Sequence, residues 1–101
     1  MKCQTTSLPG VFLLETQPKE DERGFLARTY CEKEFLAWGL NTRWPQHNHT
    51  LTRMCGAVRG MHYQAMPAPE VKLVRCLAGR VLDVVVDVRR DSGTFGRWFS
   101  C

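Results

Sequence analysis

Short strand-like segments alternate with turn residues along most of this 101-residue chain. Gly and Pro interrupt the apolar segments about every eight to twelve residues, a spacing typical of β-sandwiches and jelly rolls. One helix is predicted at 32–38, where Phe35 and Trp38 share a face and Gly39 provides the stop. The sequence therefore predicts one all-β domain over residues 1–101 with a single short helix. The predicted strands are 11–15, 24–30, 41–47, 51–55, 58–64, 71–77 and 80–88.

The most apolar of these strands, 80–88, is predicted to pair with 71–77 through a turn at Ala78-Gly79. Successive side chains of a strand point to opposite sides, so alternate residues from Leu82 to Val88 form one uninterrupted apolar face. Asp83 and Asp87 are expected on the opposite side.

Composition agrees with a single globular domain. Apolar residues make up 44% of the chain and charged residues 24%, which is ordinary for a soluble protein. A chain of this length could bury over about 60% of its unfolded surface. No apolar run approaches the ~20 residues of a membrane span, and the first residues lack the apolar core of a signal peptide. A cytoplasmic location away from membranes is expected.

The cysteines and the charge narrow the kinds of partner. Five cysteines, at positions 3, 31, 55, 76 and 101, fit neither an even disulfide framework nor the close spacing of a zinc site, and are expected to be reduced and mostly buried. A net charge of +4 suits an anionic partner, either a nucleotide diphosphate or nucleic acid. The basic residues are interspersed with acidic ones and carry no RNA- or DNA-binding signature, so no nucleic-acid partner is expected.

Residues 59–75 concentrate polar side chains that could perform chemistry. In a strand over 58–64, His62 and Gln64 share one face, and Arg59 lies on the other. A second predicted strand then brings Lys72 alongside. Proton abstraction next to a carbonyl on an anionic substrate requires a base that titrates near neutrality together with fixed positive charge. Taken one at a time, however, a strand His is more often a half-buried structural residue, and strand Arg and Lys often reach solvent.

Six short motifs resemble those of the dTDP-4-dehydrorhamnose 3,5-epimerases in order and spacing, from about Leu8 to the last residue. The resemblance implies a cupin-type jelly roll, an isomerase acting on a deoxysugar nucleotide in rhamnose-type biosynthesis, no metal or other cofactor, and a homodimer for the family-length protein. The motifs are Asp21-Glu-Arg-Gly-Phe25, Gln46-His-Asn-His-Thr50, Arg59-Gly-Met-His-Tyr-Gln64, Lys72-Leu-Val-Arg75, Asp83-Val-Val-Val-Asp-Val-Arg89 and Ser92-Gly-Thr-Phe-Gly-Arg-Trp98.

The resemblance also implies roles for single residues. His62 corresponds to the catalytic base, and Lys72 to the cation that stabilises the enolate. The remaining positions correspond to residues that bind substrate and phosphate, namely Arg23, Arg28, Gln46, Asn48 and Arg59. The run Arg28-Thr-Tyr-Cys31 is similar to one subgroup that acts in secondary-metabolite sugar pathways.

The family's pattern continues past position 101 with a Tyr general acid, a second His and an Asp that pairs with the catalytic His. This chain is therefore expected to be the N-terminal portion of a cupin-like epimerase domain, truncated at its C-terminus. The alternative is a non-catalytic cupin module, or an inactive fragment, that at most binds a sugar nucleotide.

A metal-binding cupin is the rival on the same fold. Such a site needs two His at alternate strand positions with a downstream Glu and a further His, whereas Gln64 stands beside His62. His47 and His49 have the right spacing to chelate but no carboxylate or thiolate near them in sequence. No metal site is expected.

Overall fold

Three β-hairpins and one helix contain all the regular structure of the computed structural model, which describes residues 1–101. Each hairpin is an antiparallel two-stranded sheet of its own. The regular elements are thus mostly strands with one short helix, and the all-β expectation is confirmed at that level. The pairs are β1 (Lys2–Thr5) with β2 (Phe12–Glu15), β3 (Lys19–Asp21) with β4 (Gly24–Leu26), and β5 (Val84–Val86) with β6 (Trp98–Ser100), and the helix α1 spans Glu32–Ala37.

The turn between β1 and β2 is fixed by its own hydrogen bonds. Thr6 Oγ1 donates to the Val11 carbonyl at 3.0 Å and accepts from the Leu8 amide at 3.2 Å. Gly10 completes the turn at a φ of 87°, which costs little only without a Cβ. The turn buries Leu8, which with Phe35 is one of the two fully buried apolar residues. The predicted strand 11–15 is confirmed here as β2.

The helix was predicted correctly to within one residue. Glu32 and Glu34 occupy its first turn, where negative charge is favourable at the positive end of the helix dipole. Gly39, at a φ of 69°, turns the chain so that the Leu40 amide reaches the Phe35 carbonyl at 2.9 Å. Phe35 is fully buried. Its ring lies against three aromatic rings, with centroids 4.8 Å from Tyr30, 6.1 Å from Trp38 and 6.5 Å from Trp44.

The last strand pair differs from the predicted one. β5 pairs with β6 rather than with 71–77. Asp83 and Cys101 extend this ladder by one residue pair, because each backbone amide donates to the other residue's carbonyl, at 3.0 and 3.1 Å. The physical reason lies in the connecting loop: the Asp87 carbonyl accepts from the Gly96 amide at 2.8 Å and the Asp87 amide donates to Arg97 at 2.9 Å. These bonds close the chain back onto β5 from its C-terminal side.

Residues 41–82, called the central segment below, contain no helix or strand. The strands predicted at 41–47, 51–55, 58–64 and 71–77 are therefore wrong, and the one predicted at 24–30 ends at Leu26. A strand is stabilised by a ladder of bonds to a neighbour. Within the central segment one backbone bond is made, from the Ala68 amide to Ala65 at 3.2 Å. The alternating pattern is present in the sequence, but no second strand lies alongside these residues.

Much apolar surface remains in contact with solvent. The accessible surface is 9327 Å², against about 5,800 Å² expected for a folded protein of this mass. The radius of gyration is 15.6 Å, against about 13 Å for a compact domain of this length. The chain buries about 45% of its unfolded surface rather than over 60%, because the central segment packs against little.

The cysteines are also more exposed than expected. All five are free, and those at 55, 76 and 101 are exposed, so the expectation of mostly buried thiols is wrong. The single helix has six residues, too few to span a bilayer.

This exposed apolar surface leads us to expect that the 101-residue chain self-associates at micromolar concentration. Val58, Leu82 and Met66 are among the most exposed large apolar residues, at 93%, 76% and 79%, and unpaired strand edges lie on all three hairpins. Sedimentation velocity should show species larger than the monomer. Leu82→Lys should reduce their fraction, and a compact monomer of the unaltered chain would contradict the expectation.

Candidate functional site

The seven predicted site residues lie in two parts of the chain. Arg23 and Arg28 belong to the region of the β3–β4 hairpin and helix α1, and the other five, Gln46, Asn48, Arg59, His62 and Lys72, lie in the central segment. All five of those are exposed. The predicted site residues therefore fall into two groups. Two lie in the region of the β3–β4 hairpin and helix α1, called the ordered edge below, and five lie in the irregular central segment.

Arg23 stands at the tip of the β3–β4 hairpin and is paired with Asp21. Its Nη2 lies 2.6 Å from Asp21 Oδ2, and its backbone amide donates to Oδ1 at 2.9 Å. The guanidinium holds the pKa of the Asp21 carboxyl below its usual value. The Arg23 side chain is 84% exposed, so this pair contributes little to stability. Nε also donates to Asp21 Oδ1 at 3.3 Å, so the Nη1 side of the guanidinium is the part that remains open to an anion from solvent.

Arg28 is held against helix α1. Its Nη1 donates to Glu34 Oε1 at 2.6 Å, while the other oxygen of Glu34 accepts from the Met1 amine at 3.3 Å. The hydrogen bond from Arg28 lowers the pKa of Glu34. Arg28 therefore spends part of its hydrogen-bonding capacity on Glu34 of the helix, a pairing that the sequence did not predict.

Lys72 is already paired within the central segment. Its Nζ lies 3.0 Å from Glu70 Oε1. The sequence reading treated Lys72 as a free cation and did not single out Glu70. The charge available at this point is consequently smaller than an isolated ammonium would supply.

His62 and its neighbours make few contacts. The His62 ring makes no side-chain hydrogen bond and lies close to Gly60, where a Cβ would stand 3.4 Å from its Nδ1. Arg59 Nε donates to Thr52 Oγ1 at 3.3 Å. Because this stretch is not a strand, the predicted alternation that places Arg59 and His62 on opposite faces is not observed. Gln46 and Asn48 likewise make no side-chain hydrogen bond to another site residue. Within the 101 residues, the predicted site is not assembled by direct contacts.

A bond from Arg75 ties the Lys72 part of the central segment to the ordered edge. Arg75 Nη2 donates to the Thr29 carbonyl at 2.6 Å. Thr29 directly follows Arg28, and Arg75 is three residues from Lys72. This bond brings the Lys72 part of the central segment near the residues after β4. Sequence reasoning assigned Arg75 only to a motif and gave it no role.

Positive charge is concentrated in the central segment. It contains six basic residues, all three histidines and a single acid, Glu70, so its formal charge is +5 against +4 for the whole chain. The expectation that acidic residues separate the basic ones is therefore wrong for this part of the chain. Such an excess attracts anions over a distance of several ångströms and raises their local concentration. The basic residues are Arg43, Arg53, Arg59, Lys72, Arg75 and Arg80.

The most complete polar cluster in the structure surrounds Asp87, which the sequence reading placed simply opposite the apolar face of its strand. The side chain is 1% exposed. Its carboxylate accepts from Arg89 Nε and Nη2 at 2.9 and 2.8 Å and from the hydroxyls of Ser92 and Thr94 at 2.6 Å each. These bonds, chiefly the one from Arg89, hold the pKa of Asp87 far below its usual range. The spacing Asp-x-Arg followed by Ser and Thr could have predicted this cluster, because such residues often close a loop through side-chain hydrogen bonds.

The Asp87 cluster is structural rather than ligand-binding, because its acceptor and donor groups satisfy one another. Arg89 Nη2 also donates to the Pro9 carbonyl at 2.9 Å, which joins the β1–β2 turn to the β5–β6 hairpin. No three His, Cys, Asp or Glu side chains converge in a way that could hold a metal ion. The expectation of no metal stays a prediction.

Comparison with known proteins places this sequence in a family. Residues 5–101 match the family model described as dTDP-4-dehydrorhamnose 3,5-epimerase. Proteins of that name from Shigella flexneri and Pseudomonas aeruginosa are 43% and 41% identical to the chain over 99 residues, covering 97% of this chain and 54% of each relative. One from Methanothermobacter thermautotrophicus is 40% identical over 93 residues, covering 92% of this chain and 49% of the relative. No solved structure matches the chain.

The chain spans about half the length of the curated relatives it matches. The match nevertheless covers nearly all of the chain, including every predicted site residue. The chain therefore belongs to the dTDP-4-dehydrorhamnose 3,5-epimerase family.

Proposed function

We propose that this chain supplies the proton-abstracting half of an epimerase that acts on a dTDP-4-keto-6-deoxyhexose. The observation that carries the proposal is the family match over residues 5–101, a range that contains the predicted base, the predicted oxyanion cation and the predicted phosphate-binding arginines. The relatives are named as epimerases of this kind. The +5 charge of the central segment suits the diphosphate of such a substrate.

The chemistry follows from the ketone. A hydrogen on either carbon beside C4 is acidic, because the electron pair left by its removal moves onto the C4 oxygen as an enolate. His62 takes that proton, and Lys72 stabilises the negative oxygen. Arg23, Arg28 and Arg59 hold the diphosphate. Gln46 and Asn48 form hydrogen bonds with the sugar hydroxyls.

Inversion requires a proton delivered to the face opposite the base. The chain has two tyrosines: the Tyr30 hydroxyl donates to the Thr42 carbonyl at 3.0 Å, and Tyr63 is the immediate neighbour of His62. Neither is proposed as that acid. Within the 101 residues, His62 can return a solvent-derived proton to the carbon it deprotonated, on the same face.

For the architecture we propose a single cupin-type jelly-roll domain, to which these residues contribute the first strands. Supporting this are the alternating side chains of the central segment and the large exposed apolar surface, which further strands of the family-length fold would cover. A homodimer is proposed for that longer protein, since paired sheets would also shield the hairpin edges. In this setting the central segment forms the strands that it lacks here.

A second candidate is a non-catalytic module that binds a sugar nucleotide. The observation that favours it is the open geometry of the site: His62 is exposed and joined to no other site residue. The two candidates differ in one measurable event, the removal of a carbon-bound hydrogen.

That event can be followed by incubating the chain with a dTDP-4-keto-6-deoxyhexose in heavy water containing EDTA. We expect deuterium beside the ketone, detected by NMR, with little epimer formed. Titration with dTDP measures nucleotide binding separately. Binding without deuterium incorporation supports the non-catalytic module, and absence of both contradicts the proposed function. A parallel sample without EDTA should incorporate deuterium equally well. Lower incorporation in the EDTA sample, restored by zinc, iron or manganese, would contradict the metal-free mechanism.

A further inference from the structure

Glu70 is the single acidic residue among the 42 residues of the central segment. Its Oε1 lies 3.0 Å from the Lys72 ammonium. With the Gln64 amide oriented to donate, its nitrogen reaches the same Oε1 at 3.1 Å and Oε2 at 3.2 Å. The Glu70 carboxylate thus links two stretches of the chain. One is 59–64, called the His62 run below, and the other is 72–75, which contains Lys72.

We propose that Glu70 is a positioning residue that holds Lys72 beside the His62 run. The inference rests on the proposed function, in which Lys72 meets the enolate oxygen. A lysine side chain is a flexible four-carbon stem that loses considerable rotamer freedom when its ammonium is fixed. Glu70 is the one carboxylate paired with Lys72, and its second contact, to Gln64, gives the pair a defined direction.

The pairing leaves Lys72 able to act on a substrate. An ammonium has three N–H donors, and the contact with Glu70 Oε1 engages one of them. Two remain for a developing oxyanion. Glu70 therefore orients the cation without occupying it completely, which is the arrangement expected of a residue that supports a catalytic group from behind.

The expected effects are modest, because the pair is partly solvated. The side chains of Lys72 and Glu70 are 49% and 34% exposed, and exposed ion pairs change an equilibrium by roughly twofold to fivefold. A measurement that compares Lys72 with the other lysines in the same molecule is sensitive enough. Lys2, Lys19 and Lys33 serve as internal references because none of them forms an ion pair in the structure.

The first test is competitive labelling of the full chain with a limiting amount of an acylating reagent, read out by mass spectrometry. An ammonium held by a carboxylate is less available to the reagent. Glu70→Gln should raise the labelling of Lys72 relative to the three reference lysines by about threefold, and Glu70→Asp should restore part of the protection. Asp91→Asn, at an exposed position of the loop between β5 and β6, should change nothing. Equal labelling of Lys72 in the unaltered chain and in Glu70→Gln overturns the proposal.

The second test is deuterium incorporation at saturating substrate. Glu70→Gln should lower the maximal rate by about threefold with little change in KM, and should have no further effect when Lys72 is already Ala. An equal loss in both backgrounds overturns the proposal, because it would show that Glu70 supports the loop and not the ammonium. If the unaltered chain incorporates no deuterium, the proposed function fails, while the labelling ratio still decides whether Glu70 holds Lys72.

Discussion

His62→Ala should lower deuterium incorporation beside the ketone by at least about a hundredfold. General-base catalysis contributes roughly a hundredfold to ten-thousandfold, and His62 is the one imidazole among the proposed site residues. Its ring forms no hydrogen bond within the chain, so the substitution breaks no polar contact of the fold. Nucleotide binding, measured by dTDP titration, should change little, because the phosphate contacts are assigned to the arginines.

The matched control is His49→Ala, which removes an imidazole from another exposed position of the central segment. Incorporation should persist in that variant. Lys72→Ala should slow incorporation by roughly a hundredfold, the scale seen on losing one oxyanion donor. Undiminished incorporation by His62→Ala would rule out the assigned base while leaving nucleotide binding by this chain unaffected.

Asp87→Asn should open the β5–β6 hairpin. The Asp87 carboxylate accepts two bonds from Arg89 and one each from Ser92 and Thr94, whereas an amide presents an N–H₂ group to the same donors. Hydrogen bonds to a charged group are among the stronger ones in proteins, so we expect amide hydrogen exchange in Val84–Val86 and Trp98–Ser100 to accelerate by roughly tenfold to a hundredfold. Hydrogen exchange followed by mass spectrometry measures this directly.

Acid should have the same effect as the substitution. The pKa of Asp87 is lowered in the folded chain, so its contribution to stability is fully present above the ordinary value of 3.8. It is lost as the pH falls below that value towards the depressed pKa. Asp91→Asn is the control, since Asp91 lies in the same loop, is exposed and accepts no side-chain hydrogen bond. Equal protection in Asp87→Asn and Asp91→Asn would contradict a structural role for Asp87.

Local features of this chain were predictable, and non-local pairing was not. The helix follows from the spacing of Phe35 and Trp38 and the stop at Gly39, all within two turns. The strand 11–15 follows from the breaker before it. Alternation in 58–64 and 71–77 indicates only that these residues suit a strand, because periodicity carries no information about which partner supplies the ladder bonds.

The candidate site shows the same division. Residue types and their order predict His62 as a base and Lys72 as a cation, and both roles stay predictions. Pairing between side chains was missed: Arg28 with Glu34, Lys72 with Glu70, and the enclosure of Asp87. Each depends on where a flexible basic side chain places its charged end in space, which the sequence does not fix.

The bond from Arg89 to the Pro9 carbonyl has a topological consequence. Leu8, Val11, Val86 and Arg89 line one cleft, so the first and last hairpins meet and the 79 residues between positions 9 and 89 form a closed ring. Closing a ring of that size costs about 4 kcal/mol of chain entropy beyond a constant term, while each hairpin forms locally within about 10 microseconds. The central segment should therefore become confined only after the hairpins exist, and a single proteolytic cut within it would leave two pieces still joined at this contact.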